Sequence, residues 1–393
     1  MIQHLRQFSP RTLFALLATL LVIAPLTAPG GSAQAAALPV PAAPALAAET
    51  WLLMDFDSGR VLAEKDPDAR REPASLTKMM TAYVVYAELA RGSFTRETET
   101  VVSEKAWRTG GSKMFIEVGK RVSVDQLLKG MIVQSGNDAS VALAELTAGS
   151  EGSFADYMNS YAERLGMGAT HFVNATGLPH PEHYTTARDM AILGAALIRD
   201  YPEGYKLYSQ RSYEYNGIDQ PNRNRLLWRD QSVDGIKTGH TEAAGYCLVA
   251  SAKQEGMRLI SVVMGAKSEK SRLAETQKLL NYGFRFFETH RLYAGGEAIE
   301  RARIWKGASE QLPLGVAEDL YATVPRGRQS ELQAQVELSP MIVAPTARGA
   351  QHGELHVSLA GEPLYSAPLV ALEDVAEGGF LQRALDSVLL YFQ

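Results

Sequence analysis

Three short stretches of this chain place reactive side chains at spacings that chemistry can use. The first is Ser75-Leu76-Thr77-Lys78. Residues three apart share a helix face, so a Ser75 hydroxyl and a Lys78 amine would meet there. A serine hydroxyl is a useful nucleophile only when a base takes its proton. A lysine can be that base only when burial or a nearby cation disfavours its ammonium form. A helix N-terminus also offers backbone N–H groups to a developing oxyanion. This Ser-x-x-Lys spacing occurs once in the sequence. By itself it equally describes an N-capping serine and a solvated first-turn lysine.

The second stretch is Ser135-Gly136-Asn137, after the helix-like segment Val124–Val133. Gly136 allows a tight turn, and a hydroxyl and an amide then leave neighbouring positions together. That pair is suited to relaying a proton and holding a substrate amide. An N-cap ahead of the helical run at 139–147 is the plainer reading. The third is Lys237-Thr238-Gly239, followed by His240 and Thr241, ahead of the strand-like run Gly245–Ala252. Lys237 supplies charge, Thr238 a hydroxyl, and Gly239 lets backbone approach a ligand closely. Alone, it reads as an ordinary turn leading into a strand.

Order and spacing change the weighing. Ser-x-x-Lys, then Ser-x-Asn about 60 residues on, then Lys-Thr-Gly about 100 further, is the signature of serine β-lactamases and penicillin-binding proteins. The chain resembles the low-molecular-mass penicillin-binding proteins, the serine-type D-alanyl-D-alanine carboxypeptidases that include penicillin-binding proteins five and six. P-A-S-L-T-K-M-M-T, Q-S-G-N-D-A, V-D-G-I-K-T-G-H-T, F-R-F-F-E-T, V-P-R-G-R and G-G-F carry the resemblance over nearly the whole chain. It implies that Ser75 forms an acyl-enzyme, Lys78 activates it, Ser135 assists proton traffic and Asn137 holds the peptide amide. It implies that Lys237, with Thr238 and Gly239, binds the substrate, and that the backbone N–H groups of Ser75 and His240 form the oxyanion hole. Arg223 and Arg272 match positions associated with the substrate carboxylate. The implied substrate is the peptidoglycan stem pentapeptide, which would lose its terminal D-alanine, and β-lactam antibiotics would acylate the same serine. No cofactor is implied.

The chain departs from the pattern in places. Some relatives carry a histidine, linked to deacylation, where this sequence has Thr176. Arg225 stands where a relative has glycine. His171, His180 and His183 lie in or near the loop 174–184 and read as solvated loop histidines.

The elements that must position these residues follow from periodicity. Trp51–Phe56 reads as a strand, Leu76–Leu89 as a helix closed by Gly92, and 137–147 and Thr186–Ile198 as helices. Gly245–Ala252 and Arg258–Gly265 read as strands, and Glu269–Phe287 as a long amphipathic helix. Beyond His290, short alternating runs such as Leu355–Leu359 and Leu364–Leu372 read as a small all-β module. The expected fold is α/β (α+β), of the serine β-lactamase/transpeptidase type. It has an antiparallel sheet flanked by helices, a small all-β domain and a C-terminal amphipathic helix. The expected boundaries are a signal peptide at 1–36, a flexible leader at 37–49, the penicillin-binding domain at 50–289, the β domain at 290–377 and the helix at 378–393.

The signal peptide rests on Arg6 and Arg11 ahead of the apolar run 13–28 and small residues such as Ala33-Gln34-Ala35. It places the protein outside the cytoplasm, in the periplasm or on the outer face of the cytoplasmic membrane. In the last segment Phe380, Leu381, Ala384, Leu385, Val388, Leu389 and Phe392 form one helical stripe. About 15 residues are too short to span a bilayer but can lie in its surface.

Composition supports a folded protein. The 393 residues leave room for two or three domains, with 46% apolar and 21% charged residues. A net charge of −5 without basic clusters argues against nucleic acid. A single cysteine, Cys247, excludes an internal disulfide, and no metal-ligand spacing appears. A class A β-lactamase would need a deacylating Glu in an E-x-x-L-N context, which is missing. A D,D-endopeptidase cleaving cross-links would share the same serine site and stands as an alternative activity, as does a β-lactamase-like hydrolase.

Overall fold

The computed structural model describes residues 40–391. The expected signal peptide and the first residues of the leader lie outside the described residues. So does Phe392 of the terminal stripe.

The chain opens with a hairpin, β1 (Thr50–Asp55) and β2 (Val61–Lys65). A 3₁₀ turn at Ala74–Leu76 leads into α1 (Thr77–Arg91), which Gly92 ends in the left-handed conformation (φ 77°), as expected from the sequence. β3 (Glu99–Val101), α2 (Glu104–Arg108) and β4 (Arg121–Ser123) form a small excursion before α3 (Val124–Val133). Ser123 and Gln126 make a reciprocal capping box at the start of α3. Then come α4 (Asn137–Ala148), α5 (Glu151–Arg164), α6 (Ala187–Asp200) and the single turn α7 (Pro202–Tyr205). A hairpin of β5 (Ser212–Tyr215) and β6 (Ile218–Pro221) and the turn α8 (Leu226–Arg229) precede three long strands. These are β7 (Val233–Thr241), β8 (Gly245–Gln254) and β9 (Met257–Ala266), followed by α9 (Glu269–Phe286).

The main sheet is antiparallel, in the order β2-β1-β9-β8-β7. Both its faces are covered, so its central strands read as continuous apolar runs although their side chains alternate. Leu52, Met54, Val249, Ile260 and Val262 join the core around α1. Trp51, Leu53, Leu248, Leu259 and Val263 face Leu273, Leu279, Leu280 and Phe284 of α9. α1 is buried from Thr77 to Ala87 on all sides, which makes it a central rod inside the helical layer.

The Ala/Pro-rich leader departs from expectation. Val40, Ala43 and Leu46 pack on the α9 side of the sheet, and the Tyr282 hydroxyl donates to the Pro41 carbonyl at 3.0 Å. Its small apolar groups cover a hydrophobic helix face, so the described part is docked rather than free.

The all-β module begins with β10 (Phe287–Tyr293) directly from the last turn of α9, three residues ahead of the expected boundary. It continues as β11 (Glu300–Arg303), β12 (Gln311–Gly315), β13 (Leu320–Pro325), β14 (Leu332–Leu338), β15 (Gln351–Leu359) and β16 (Glu362–Ala371). β10 pairs with β13, and the other strands form an antiparallel sheet in the order β11-β12-β16-β15-β14. A polar joint links module and catalytic-type domain. Asp55 accepts from Ser58 N–H at 2.8 Å and from Thr289 Oγ1 at 2.7 Å, and Ser58 Oγ lies 2.6 Å from Thr323 Oγ1.

The last helix, α10 (Phe380–Tyr391), packs with its polar side inward. Asp386 is 3% exposed and accepts from the Lys306 N–H at 2.6 Å. Phe380 (76%), Leu381, Leu385, Val388, Leu389 and Tyr391 face outward. No helix of the described residues is long and apolar enough to cross a membrane.

Candidate active site

The three stretches converge where α1 begins. Ser75 lies in the 3₁₀ turn that feeds α1, one turn before Lys78. The preceding residue, Ala74, sits at φ 48°, a conformation L-residues adopt at a cost and one that recurs around functional sites. Gly177 (φ +85°) explains how the turn is held: a Cβ there would lie 1.8 Å from the Ala74 carbonyl oxygen. The loop backbone is therefore pressed directly on the turn that carries Ser75.

Lys78 is 1% exposed. Its Nζ lies 3.0 Å from Ser75 Oγ, 2.7 Å from Asn137 Oδ1 and 2.6 Å from the Thr176 carbonyl oxygen. Asn137 Nδ2 donates to the Gly110 carbonyl at 2.7 Å, which fixes Oδ1 toward the lysine. Burial lowers the Lys78 pKa to about 7; Asp138 pulls it up, and the Arg223 cation pushes it down. Of the two causes the sequence leaves open, burial and a nearby cation, burial is the larger here. A neutral Lys78 amine has two hydrogens, matching two groups that only accept, and one lone pair, left for the Ser75 hydroxyl.

The turn at Ser135-Gly136-Asn137 is built differently from expectation. The positive φ falls on Ser135 (69°), while Gly136 caps α4 at φ −58°. Glycine is needed at 136 for space: a Cβ would lie 3.0 Å from Met114 N and 2.9 Å from Asp138 Oδ1. Asp138, fully buried, accepts from the N–H groups of Met114 (2.8 Å) and Phe115 (2.9 Å). It thereby folds the 110–116 segment over the site.

Lys237-Thr238-Gly239 lies inside strand β7, not in a turn before a strand. β7 is the edge of the main sheet and runs beside the Ser75 turn: a Cβ on Gly239 would lie 3.0 Å from the Pro73 carbonyl oxygen. Lys237, 2% exposed, donates to Ser135 Oγ at 2.9 Å and to its neighbour's carbonyl at 3.1 Å. Burial first, then Lys78, Arg223 and Arg272, push its pKa well below the usual lysine value. Two buried amines share a site that disfavours both being charged.

Ser75, Ser135, Arg223, Thr238, Gly239, His240 and Arg272 line one cleft of about 310 Å³, with Lys78, Asn137 and Lys237 buried behind it. Arg223 reaches it by strand-like alternation: Asn222 and Asn224 point inward, Asn224 Nδ2 donating to the Gly235 carbonyl at 2.9 Å. Arg272, on α9, is 5% exposed; its guanidinium sits 5.7 Å from the Tyr246 ring centroid and 3.6 Å from Glu269. Its Nε is buried without a partner.

Sequence reasoning missed Ser112, Tyr246 and Glu269, which also line the cleft, and Asp138 beneath it. Only Asp138 had a signal, as the residue following Ser-Gly-Asn. One expectation is corrected: His183 is not a solvated loop histidine but is 2% exposed, with a hydrogen bond at each ring nitrogen. Its ring is closed in by the loop and α1. No cluster of metal-ligating side chains occurs among the described residues.

Comparison with known proteins agrees with this architecture. The sequence profile of the D-alanyl-D-alanine carboxypeptidase family matches residues 37–268, and that of the penicillin-binding protein 5 C-terminal domain matches residues 287–377. The chain is 46% identical over 362 residues to the D-alanyl-D-alanine carboxypeptidase DacA of Escherichia coli K12, covering 90% of each. It is similar to the crystal structure of penicillin-binding protein 5 from Haemophilus influenzae (TM-score 0.81, 45% identity, 85% of this chain and 99% of that one). It is also similar to penicillin-binding protein D2 from Listeria monocytogenes in its ampicillin-bound form (TM-score 0.57, 30% identity, 61% of this chain and 98% of that one).

Proposed function

The chain belongs to the D-alanyl-D-alanine carboxypeptidase family, and we propose that Ser75 is the nucleophile with which it removes the terminal D-alanine from peptidoglycan stem pentapeptides. The observation that carries this reading is the position of Lys78 Nζ, 2.7 Å from Asn137 Oδ1, 2.6 Å from the Thr176 carbonyl oxygen and 3.0 Å from Ser75 Oγ: in the neutral amine the first two take its hydrogens and the lone pair is left for Ser75. Lys78 takes the Ser75 proton as Oγ attacks the penultimate D-alanine carbonyl. The backbone N–H groups of Ser75 and His240 receive the oxyanion. The C–N bond breaks, the amine of the terminal D-alanine takes a proton relayed through Ser135 and Lys237, and D-alanine leaves. Water then hydrolyses the ester on Ser75. Asn137 keeps one Nδ2 hydrogen for the peptide carbonyl.

The cationic end of the cleft sets the substrate class. Lys237, Thr238 and Gly239, with Arg223 and Arg272, receive the free carboxylate after the scissile bond. That Arg223 and Arg272 both line the cleft supports that assignment. A cross-linked peptide continues past this point, which favours carboxypeptidase over endopeptidase action.

β-Lactams enter by the same serine in this proposal, and the existence of a relative in an ampicillin-bound form supports it. Penicillin labelling followed by peptide mass spectrometry tests the assignment. An acyl adduct on the Ser75 peptide is expected, lost in Ser75→Ala. Undiminished labelling of that variant would overturn the nucleophile.

We also propose export, by the signal sequence, and peripheral attachment to the membrane through α10. The outward apolar face of Phe380, Leu381, Leu385 and Val388, held out by the inward Asp386, supports this. Arg301, Arg303 and Lys306 border the helix from the module, Arg303 lying 3.7 Å from Asp386, and add to the helix's own Arg383.

A further inference from the structure

We propose that His183 is a positioning residue for acylation: by bridging both limbs of its loop to Thr77, it keeps the Thr176 carbonyl on Lys78. The inference rests on Ser75 and Lys78 having the roles proposed above.

Lys78 depends on a backbone group of a loop that has no regular structure around it. The Thr176 carbonyl takes one hydrogen of the amine at 2.6 Å. The Thr176 side chain is turned away, its Oγ1 donating to Asn174 Oδ1 at 2.9 Å. Asn174 Oδ1 also accepts from the N–H groups of Thr176 (3.1 Å) and Gly177 (2.7 Å), so this corner is shaped as a tight turn. What remains is to hold that corner against α1.

Three side-chain bonds do so. Two come from α1: Lys78 itself and Thr81, whose Oγ1 donates to the Ala175 carbonyl at 2.8 Å. The third comes from the loop's returning limb. His183 Nδ1 accepts from Val173 N–H at 3.1 Å, which ties the two limbs together. With Nδ1 an acceptor, the neutral ring carries its hydrogen on Nε2, and this donates to Thr77 Oγ1 at 2.7 Å. Thr77 lies between Ser75 and Lys78, so the bond lands on the catalytic turn itself. Phe172 closes over the ring edge at 5.7 Å. Burial, with His171, His180 and Lys78 nearby, lowers the ring's pKa to about 4, so the single-tautomer arrangement holds at neutral pH.

The juxtaposition gives His183 a defined task. Freed from Thr77, the returning limb no longer presses Gly177 on the Ala74 carbonyl. The Thr176 carbonyl then drifts from Lys78, the amine regains freedom to rotate, and its lone pair leaves Ser75 for part of the time. Substrate binding uses the cations on the far side of the cleft and is left intact.

The test separates acylation from binding with a chromogenic or fluorescent penicillin, on active sites counted by saturation labelling. His183→Ala and Thr77→Val should each slow the acylation rate constant by roughly tenfold or more, with the pre-acylation dissociation constant within about threefold of wild type. Their double variant should be no slower than His183→Ala alone, because that change already removes the bond that Thr77→Val cuts. His183→Gln can accept through Oε1 and donate through Nε2, and should restore the rate to within about threefold of wild type. A His183→Ala rate per site equal to wild type, with only a lowered melting temperature, would overturn the proposal. So would additive loss in the double variant, or a glutamine as slow as alanine. If His183→Ala does not fold, Thr77→Val decides alone, and a wild-type acylation rate there contradicts the proposal. Absence of any adduct on Ser75 in the wild-type protein would instead remove the premise.

Discussion

Lys78 can bond in three directions, and the fold fills two of them with groups that can only accept. That arrangement is what the base role we propose for Lys78 needs near neutrality. Its pKa is depressed to about 7, and only the amine form takes a proton from Ser75. Acylation by penicillin should therefore rise with pH through about 7 and level off above it; a profile that falls over that range would contradict the assignment. Lys78→Ala should slow acylation by about 10²–10⁴-fold with the fold intact, as circular dichroism and stopped-flow labelling can establish. Gly177 gives a structural counterpart. A Cβ at 1.8 Å from the Ala74 oxygen, on backbone at φ +85°, must move the Ser75 turn. Gly177→Ala should cost about 1–3 kcal/mol of stability and slow acylation, whereas Gly149→Ala, strained in φ but with open space around it, should cost stability only.

At the scale of elements, each motif is one feature of a larger support. α1 is buried all round from Thr77 to Ala87, with Lys78 in its first turn and Ser75 in the 3₁₀ turn that leads into it. α4 starts at Asn137, and β7 is an edge strand whose glycine lets it lie against the Ser75 turn. The helix α1 and its glycine stop were legible because periodicity and capping are local. β7 was not, because two glycines and exposed-type residues in a strand that lines a cleft imitate a turn. α10 shows the limit of a stripe: the sequence gives an apolar face but not which face the protein keeps. Asp386 settles the orientation by accepting from Lys306 N–H at 2.6 Å. Asp386→Ala leaves that donor without its partner, at a cost of about 1–3 kcal/mol. Amide exchange should quicken across 380–391 with penicillin acylation unchanged. Unchanged exchange would mean that the clamp carries no energy. A chain ending at Gly378 should no longer float with vesicles of phosphatidylethanolamine and phosphatidylglycerol, while keeping its hydrolytic activity. Equal flotation would refute the anchor.

At the scale of the molecule, the architecture was largely legible, since the motif order identifies a family and the family fixes a fold. What the sequence did not convey was contact between distant segments. The 110–116 segment is held by Asp138, Thr176 contributes a carbonyl rather than a side chain, and His183 is buried by a loop with no periodicity. The joint of Asp55, Ser58, Thr289 and Thr323 joins residues more than two hundred positions apart. Ser75, with Arg223 and Arg272, lines one cleft. The most direct test of that account is D-alanine release from a stem pentapeptide ending in D-Ala-D-Ala, measured beside its C-terminally amidated form and a cross-linked dimer. Charge-assisted hydrogen bonds are worth about 1.5–3 kcal/mol each, so amidation should cut turnover roughly ten- to a hundredfold. The free pentapeptide should be cleaved fastest of the three. Turnover indifferent to amidation, or cross-link cleavage faster than D-alanine release, would contradict the carboxypeptidase.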